Sequence, residues 1–165
     1  KEQMQNKKDP RHAPKKGEVI DLSNAWIDLE EMPYNQRDNL FTGRELALYK
    51  LLENALLDHY VVLPRVRLAD FISVSPEARN RVEYANQIKE RSADILICEA
   101  SNFRPVAAVV FDSRTEGRKK ELADRFVRKA YEAAGLPYLD LKPATPPSHS
   151  ELKKALQKAG LQCPK

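Results

Sequence analysis

Residues 94–112 read DILICEASNFRPVAAVVFD. Two runs of Ile, Leu, Val and Ala flank the short connection Ser101-Asn102-Phe103-Arg104-Pro105, the pattern of a β-hairpin with strands over 94–100 and 106–112. A hairpin centred on Phe103 sets Asp94 opposite Asp112 and Leu96 opposite Val110, with opposed side chains on one face. Two carboxylates so close repel unless a cation, a proton or a basic side chain neutralises them. A hard divalent ion such as Mg²⁺ takes oxygen ligands of this kind. Acids also gather at hairpin mouths simply because strand ends meet water, and Arg114 or Arg118 pairing with either acid would make an ordinary ionic cluster. The facing pair depends on register, because a slip of one residue sends a side chain to the other face.

The flanking sequence supplies helices and further strands. Upstream, Thr42-Gly43-Arg44-Glu45 is a capping box that opens a helix carrying Leu46, Tyr49, Leu52 and Leu56 at helical spacing. His59–Val66 is rich in β-formers and reads as a strand, with Pro64 marking its end or a sheet edge. LADF (68–71) suggests a turn of helix. Ser75-Pro76-Glu77 has the order of an N-cap, a first-position proline and a first-turn acid, predicting a helix to about Lys89. Downstream, a helix is expected from Arg118 to Ala134, with Gly135 as its terminating residue and PYLDL (137–141) as a last strand. KPATPPSHS breaks the chain, and Ser150 is expected to cap a small final helix ending at Gly160. The fold class is therefore α/β: a mixed β-sheet flanked by helices, the last strand returning parallel through a right-handed crossover.

The 165 residues suffice for one domain with a core plus tails. We divide them into a basic arm (1–17), an extended arm (18–39) packing Val19, Ile20, Trp26 and Ile27 onto the core, a main domain (40–143), and a Pro-rich linker with a short helix (144–165). The formal charge of +4 resides wholly in the first segment, where six basic residues meet two acidic ones; the remaining 148 residues carry 22 of each sign. Whole-chain charge thus says nothing about the core, and such an arm is either a polyanion tether or a solvated linker. Within the domain, Arg114, Arg118, Lys119, Lys120, Arg125, Arg128 and Lys129 against Glu116, Glu121 and Asp124 make a locally basic stretch, which would meet a phosphate backbone or simply form a solvated helix face. Asp124 and Arg128 stand at i,i+4, the spacing of a helical ion pair.

Cys98 and Cys163 form no disulfide framework, which suits a reduced, cytoplasm-facing setting. No apolar run within the chain is long enough to span a membrane. The chain begins at Lys1 rather than Met, which leaves an upstream membrane anchor open. His12, His59 and His149 are scattered and receive no role.

The ordered set FTGRELALYKLLENAL, VVLPRVRLADFI, ADILICEASNFRPVAAVVFD and ADRFVRKAYEAAGLPYL resembles the bacterial family catalogued as domain of unknown function 2726 over residues 40–141. The resemblance implies a restriction-endonuclease-like fold of the PD-(D/E)XK superfamily, with αβββαβ core order. By position it implies that Glu45 is an acid directed at the site, Asp94 and Asp112 are ligands to Mg²⁺ or Mn²⁺, and Asp124 is a helix aspartate typical of the family. It also marks departures. Val110 stands where the family's second strand carries a carboxylate, Asp140 where an arginine is expected, and SRTEGRKK lacks the family's histidine. No lysine lies at the superfamily's activating position. Since a clustered carboxylate set holds the ion that activates water, its loss at Val110 weakens such a site. A migrated acid would restore it, Glu116 or Glu121 rather than Glu99, which lies on the far face of its strand. Glu45, alternatively, only completes its capping box.

The expected function is a degenerate nuclease-like domain that binds nucleic acid or an unidentified protein partner. The alternative is an active metal-dependent nuclease on DNA or RNA with catalytic Asp94, Asp112 and Glu45. Arg114, Arg118, Lys119, Lys120 and Arg125 are the residues expected to contact phosphate. A purely structural domain tethered through residues 1–17 is a third reading.

Overall fold

The computed structural model describes residues 27–56, 58–112 and 117–163. The chain divides into two units, residues 1–38 and 39–165. In the first, residues 27–38 contain no helix or strand; they form local bonds such as Glu30 N–H to Asp28 Oδ1 at 3.0 Å. Ile27, expected to be packed on a core, is 44% exposed, while Val19, Ile20, Trp26 and the basic arm lie outside the described residues.

The second unit is built on a four-stranded sheet in the order β1-β2-β3-β4, with β1 Tyr60–Arg67, β2 Ser92–Glu99, β3 Pro105–Phe111 and β4 Tyr138–Leu141. The first three strands are antiparallel neighbours and β4 lies parallel to β3. The described helices are α1 Gly43–Leu56, α2 Arg81–Lys89, α3 Arg118–Ala134 and α4 His149–Lys158, with a 3-10 turn at Leu68–Asp70. The mixed α/β architecture expected from the sequence is the one observed.

Alternation along β2 and β3 feeds two cores, as expected for strands covered on both faces. Ile95, Ile97, Ala107, Val109 and Phe111 join Leu139 and Leu141 of β4 beneath α1 and α4, whose Leu48, Leu52, Leu152 and Leu156 are fully buried. Leu96, Cys98, Ala108 and Val110 face the other way, onto Val127 and Tyr131 of α3 and Ile88 of α2. α4 is therefore part of the domain core rather than an appendage, and the Gln162 N–H donates to Tyr60 Oη (2.9 Å), fastening the chain after it to β1.

Three local expectations need correction. Ser75-Pro76-Glu77 does not start α2: the Ser75 hydroxyl hydrogen-bonds Glu77 (2.8 Å) within a turn, and the helix begins only after Asn80, which takes the left-handed conformation (φ 54°). Asparagine tolerates that region better than most residues, so the chain reverses there before α2 can form. The cap of α4 is Ser148, not Ser150; its side chain accepts from Glu151 N–H while the Glu151 carboxylate accepts from Ser148 N–H, a complete capping box.

The third correction concerns the hairpin register. Ile95 pairs with Val109, Leu96 with Ala108 and Ile97 with Ala107, and a bulge then shifts Cys98 onto Pro105. Continued by one residue, this register sets Asp94 level with Val110, so Asp112 is not the residue opposite it. The cause is an asymmetric loop. Glu99 and Arg104 stay hydrogen-bonded (2.9 Å) around a turn in which Phe103 adopts φ 59° and Arg104 N–H is held by the Asn102 side chain (2.8 Å). A displacement by an even number of residues keeps the alternation of faces, which is why the strands were legible although their pairing was not.

Candidate functional site

Glu45 enters from the first turn of α1. The capping box forms as expected: Thr42 N–H donates to Glu45 Oε2 (2.9 Å), and Glu45 N–H donates to Thr42 Oγ1 (3.3 Å). Glu45 also does more, accepting from Arg65 Nη2 at 3.3 Å. Arg65 lies in β1 between Pro64, which pairs with Ile95, and Val66, which pairs with Ala93, so it is level with Asp94. Its backbone is left-handed (φ 54°), costly for a non-glycine residue. The guanidinium lies 5.4 Å from the Phe41 ring centroid and donates through Nη1 to Asp94 Oδ1 at 2.9 Å. One cation thus holds two of the three acids expected at a catalytic site, Glu45 and Asp94, but not Asp112.

The second oxygen of Asp94 is also engaged. Phe111 N–H, just past the end of the β2–β3 pairing, donates to Asp94 Oδ2 at 2.9 Å. Burial raises the pKa of this carboxyl above its ordinary value. The Phe111 N–H and the charges of Arg65 and Lys120 pull it back, and Asp124 pushes it further up.

Asp112 follows β3, buried at 8% exposure, and its N–H donates to Leu141 O (2.8 Å), continuing the link to β4. Val110, level with Asp94, is 2% exposed and packs in the core beneath α3. The inward side of α3 carries Lys120, Asp124, Val127 and Tyr131. Lys120 Nζ donates to Asp124 (3.2 Å) and to the Phe111 carbonyl (3.4 Å). The expected Asp124–Arg128 pair is not the one formed: Arg128 Nε donates to Asp140 Oδ1 at 2.8 Å. Burial opposes the Arg128 charge, but that hydrogen bond and the charges of Asp140, Asp124 and Asp112 outweigh it and raise its pKa. Asp140, where the resemblance implies an arginine, thus has its arginine supplied from α3. The Tyr131 hydroxyl is fully buried with no hydrogen-bond partner among the described residues; burial and then the charge of Asp94 raise its pKa.

The result is a chain of alternating charge around the ends of β2 and β3: Glu45, Arg65, Asp94, then Lys120 with Asp124, then Arg128 with Asp140. Among the described residues no three His, Cys, Asp or Glu side chains are placed to hold a metal ion. Both Asp94 oxygens and the Glu45 carboxylate accept from protein donors, so a divalent cation at these two acids would have to displace the Arg65 guanidinium. Of the cations expected to meet phosphate, Arg118, Lys119 and Arg125 are exposed, Lys120 is turned inward onto Asp124, and Arg114 lies outside the described residues. Glu121 is exposed and Glu116 lies outside the described residues.

Arg65 is the site residue that sequence reasoning missed. Its signal was present only in retrospect, as a cation directly after Pro64 in a strand predicted to reach an edge. Pairing between strands about thirty residues apart in the chain is not read from local pattern.

No described helix is long and apolar enough to cross a membrane. Comparisons with curated proteins and with solved structures give no match. Residues 37–159 match the family described as protein of unknown function (DUF2726). That span exceeds the resemblance read from the sequence, taking in α4, which completes the core beneath the sheet. The chain belongs to the DUF2726 family.

Proposed function

We propose that this domain is a degenerate, non-cleaving relative of the PD-(D/E)XK nucleases, with a restriction-endonuclease-like fold retained as a module that binds nucleic-acid phosphate. The observation that carries this reading is the Arg65 guanidinium on both Asp94 and Glu45. Neighbouring carboxylates require a cation, and at Asp94 and Glu45 the chain provides its own. An arginine neutralises carboxylates without offering the open coordination positions through which a metal ion activates water. Val110 adds to the case, since an apolar side chain buried level with Asp94 cannot complete a carboxylate set.

Binding is assigned to the outer side of α3. At 100° per residue, Arg118, Arg125 and Lys129 share one face and Lys119 flanks it. Arg118, Lys119 and Arg125 have no ion-pair partner among the described residues, whereas Lys129 is held by Glu132 at 2.8 Å. Exposed guanidinium and ammonium groups of this kind contact phosphate oxygens and fix position without reading sequence.

The test has two arms. Plasmid and single-stranded substrates are incubated with the full chain in Mg²⁺ or Mn²⁺, and binding of the same nucleic acids is followed by anisotropy across salt concentrations. The reading expects no cleavage and salt-sensitive binding that weakens when Arg118 and Arg125 become Ala. Metal-dependent cleavage lost in Asp94→Asn would establish the active-nuclease alternative instead. Binding lost only on deleting residues 1–17 would transfer the function to the basic arm.

A further inference from the structure

Glycine and asparagine enter the left-handed region readily, yet the residue placed there in the β2–β3 turn is Phe103, with φ 59°. For a bulky side chain that conformation is costly and persists only where its surroundings over-determine it. Here they do. Phe103 N–H donates to Glu99 O (2.9 Å), Glu99 N–H to Arg104 O (2.9 Å), and Arg104 N–H to Asn102 Oδ1 (2.8 Å). The Asn102 side-chain amide donates in turn to Glu99 Oε2 (3.0 Å), which closes the turn on itself.

Nothing described within the domain offsets the cost. The Phe103 ring is 57% exposed, belongs to neither core and meets no other ring among the described residues. The turn therefore holds an aromatic face out to solvent in a fixed pose.

Two features narrow what that face meets. Ser101, Asn102 and Arg104 beside it are polar and exposed, so the ring does not sit within an apolar patch. A protein interface buries a contiguous apolar core, whereas a nucleobase needs only one flat face to stack on. The Arg104 guanidinium has no ion-pair partner among the described residues, while the Glu99 carboxylate is taken up by Asn102.

Topology adds continuity with the outer side of α3. That helix carries the chain from the end of β3 back to the start of β4, where Tyr138 is level with Ala108. The half of α3 beyond Arg125, with Lys129, thus lies toward the end of the sheet from which the hairpin turn projects.

We propose that Phe103 is a stacking platform for an unpaired base, with Arg104 on the adjoining phosphate, which makes single-stranded nucleic acid the preferred substrate class. Bases within a duplex have both faces covered by their neighbours and offer the ring nothing to stack on. The proposal rests on the reading of this domain as a phosphate binder and deepens it.

The test measures anisotropy of a single strand of about 12 nucleotides and of its matching duplex with the full chain, Phe103→Gly, Phe103→Tyr and Arg118→Ala. Urea midpoints are read beside it. Phe103→Gly relieves the left-handed backbone and should raise the urea midpoint. The same variant should bind the single strand about tenfold more weakly, with duplex binding and the salt slope unchanged. Phe103→Tyr should keep the single-strand affinity. A fluorescent purine analogue in the strand should be quenched on binding by the unaltered chain and not by Phe103→Gly. Equal losses on single strand and duplex overturn the proposal. So does unchanged single-strand affinity in a stabilised Phe103→Gly, which would assign the ring to a protein partner. In either case a salt slope that still falls in Arg118→Ala leaves the phosphate-binding reading standing; absence of any nucleic-acid binding would end both.

Discussion

Arg65 Nη1 donates to Asp94 Oδ1 at 2.9 Å, from a β1 position level with that acid and from a backbone in the left-handed region. The same guanidinium reaches Glu45, so α1, β1 and β2 are tied at one point. Asp94, expected to share a metal ion with Asp112, instead shares a guanidinium with Glu45 in an internal ionic corner. The arrangement also places the conformational strain of β1 at the residue that makes the link.

Removing the guanidinium should therefore cost stability. Arg65→Ala leaves Asp94 largely buried with only Phe111 N–H and the more distant Lys120 to offset its charge. Arg65 is about one-third exposed, so solvent screening limits the penalty to about 1–2 kcal/mol. Urea unfolding at neutral pH measures it. Arg65→Lys should recover only part, since an ammonium does not fork between two carboxylates as a guanidinium does.

The pH dependence follows from Asp94. Its folded pKa lies above the ordinary 3.8, with burial as the main cause. The native state then binds this proton more tightly than the unfolded one, so the Asp94 contribution to stability falls as pH rises from the unfolded value through the folded one. A carboxyl-carbon NMR titration should give a midpoint above 3.8, moved further up in Arg65→Ala because a neutralising charge has been removed. A midpoint at or below 3.8 would remove burial as the dominant influence.

Capping at the other end of the domain gives an independent check. Ser148→Ala should destabilise by about 1 kcal/mol through loss of the acceptor for Glu151 N–H, whereas Ser150→Ala should be close to neutral. Since Leu152 and Leu156 are fully buried in the shared core, the loss should appear in the single unfolding transition of the whole domain, not as local fraying of α4.

The legible parts of this chain were those set by local pattern. α3 was readable from Arg118 to Ala134, where a strong apolar face ends at a left-handed Gly135. The two β-runs around Phe103 were readable as strands for the same reason. What escaped was long-range or conformational. Phe103 and Arg65 both take positive φ, which their side chains do not announce, and these two residues fix the hairpin register and the partner of Asp94. Ser75-Pro76-Glu77 carried a helix-start signal that a turn used instead, because the chain reverses at Asn80. Of the site, Asp94, Asp112 and Glu45 were found by resemblance and by spacing, but the cation between two of them had to come from a third element.

For the outer face of α3, each phosphate contact removed should lower the salt dependence of nucleic-acid binding. Arg118→Ala and Arg125→Ala should each reduce the slope of log K against log salt by about 1, uniformly across sequences. Lys120→Ala should leave the slope unchanged, because its ammonium is engaged with Asp124 and the Phe111 carbonyl.

The ionic corner is tested most directly by titrating Mn²⁺ into the full chain and its Asp94→Asn variant, with free Mn²⁺ followed by electron paramagnetic resonance. If Arg65 has taken the place of a metal ion, the two proteins give the same weak, unsaturated uptake. A stoichiometric Mn²⁺ site in the unaltered chain that disappears in Asp94→Asn would contradict it.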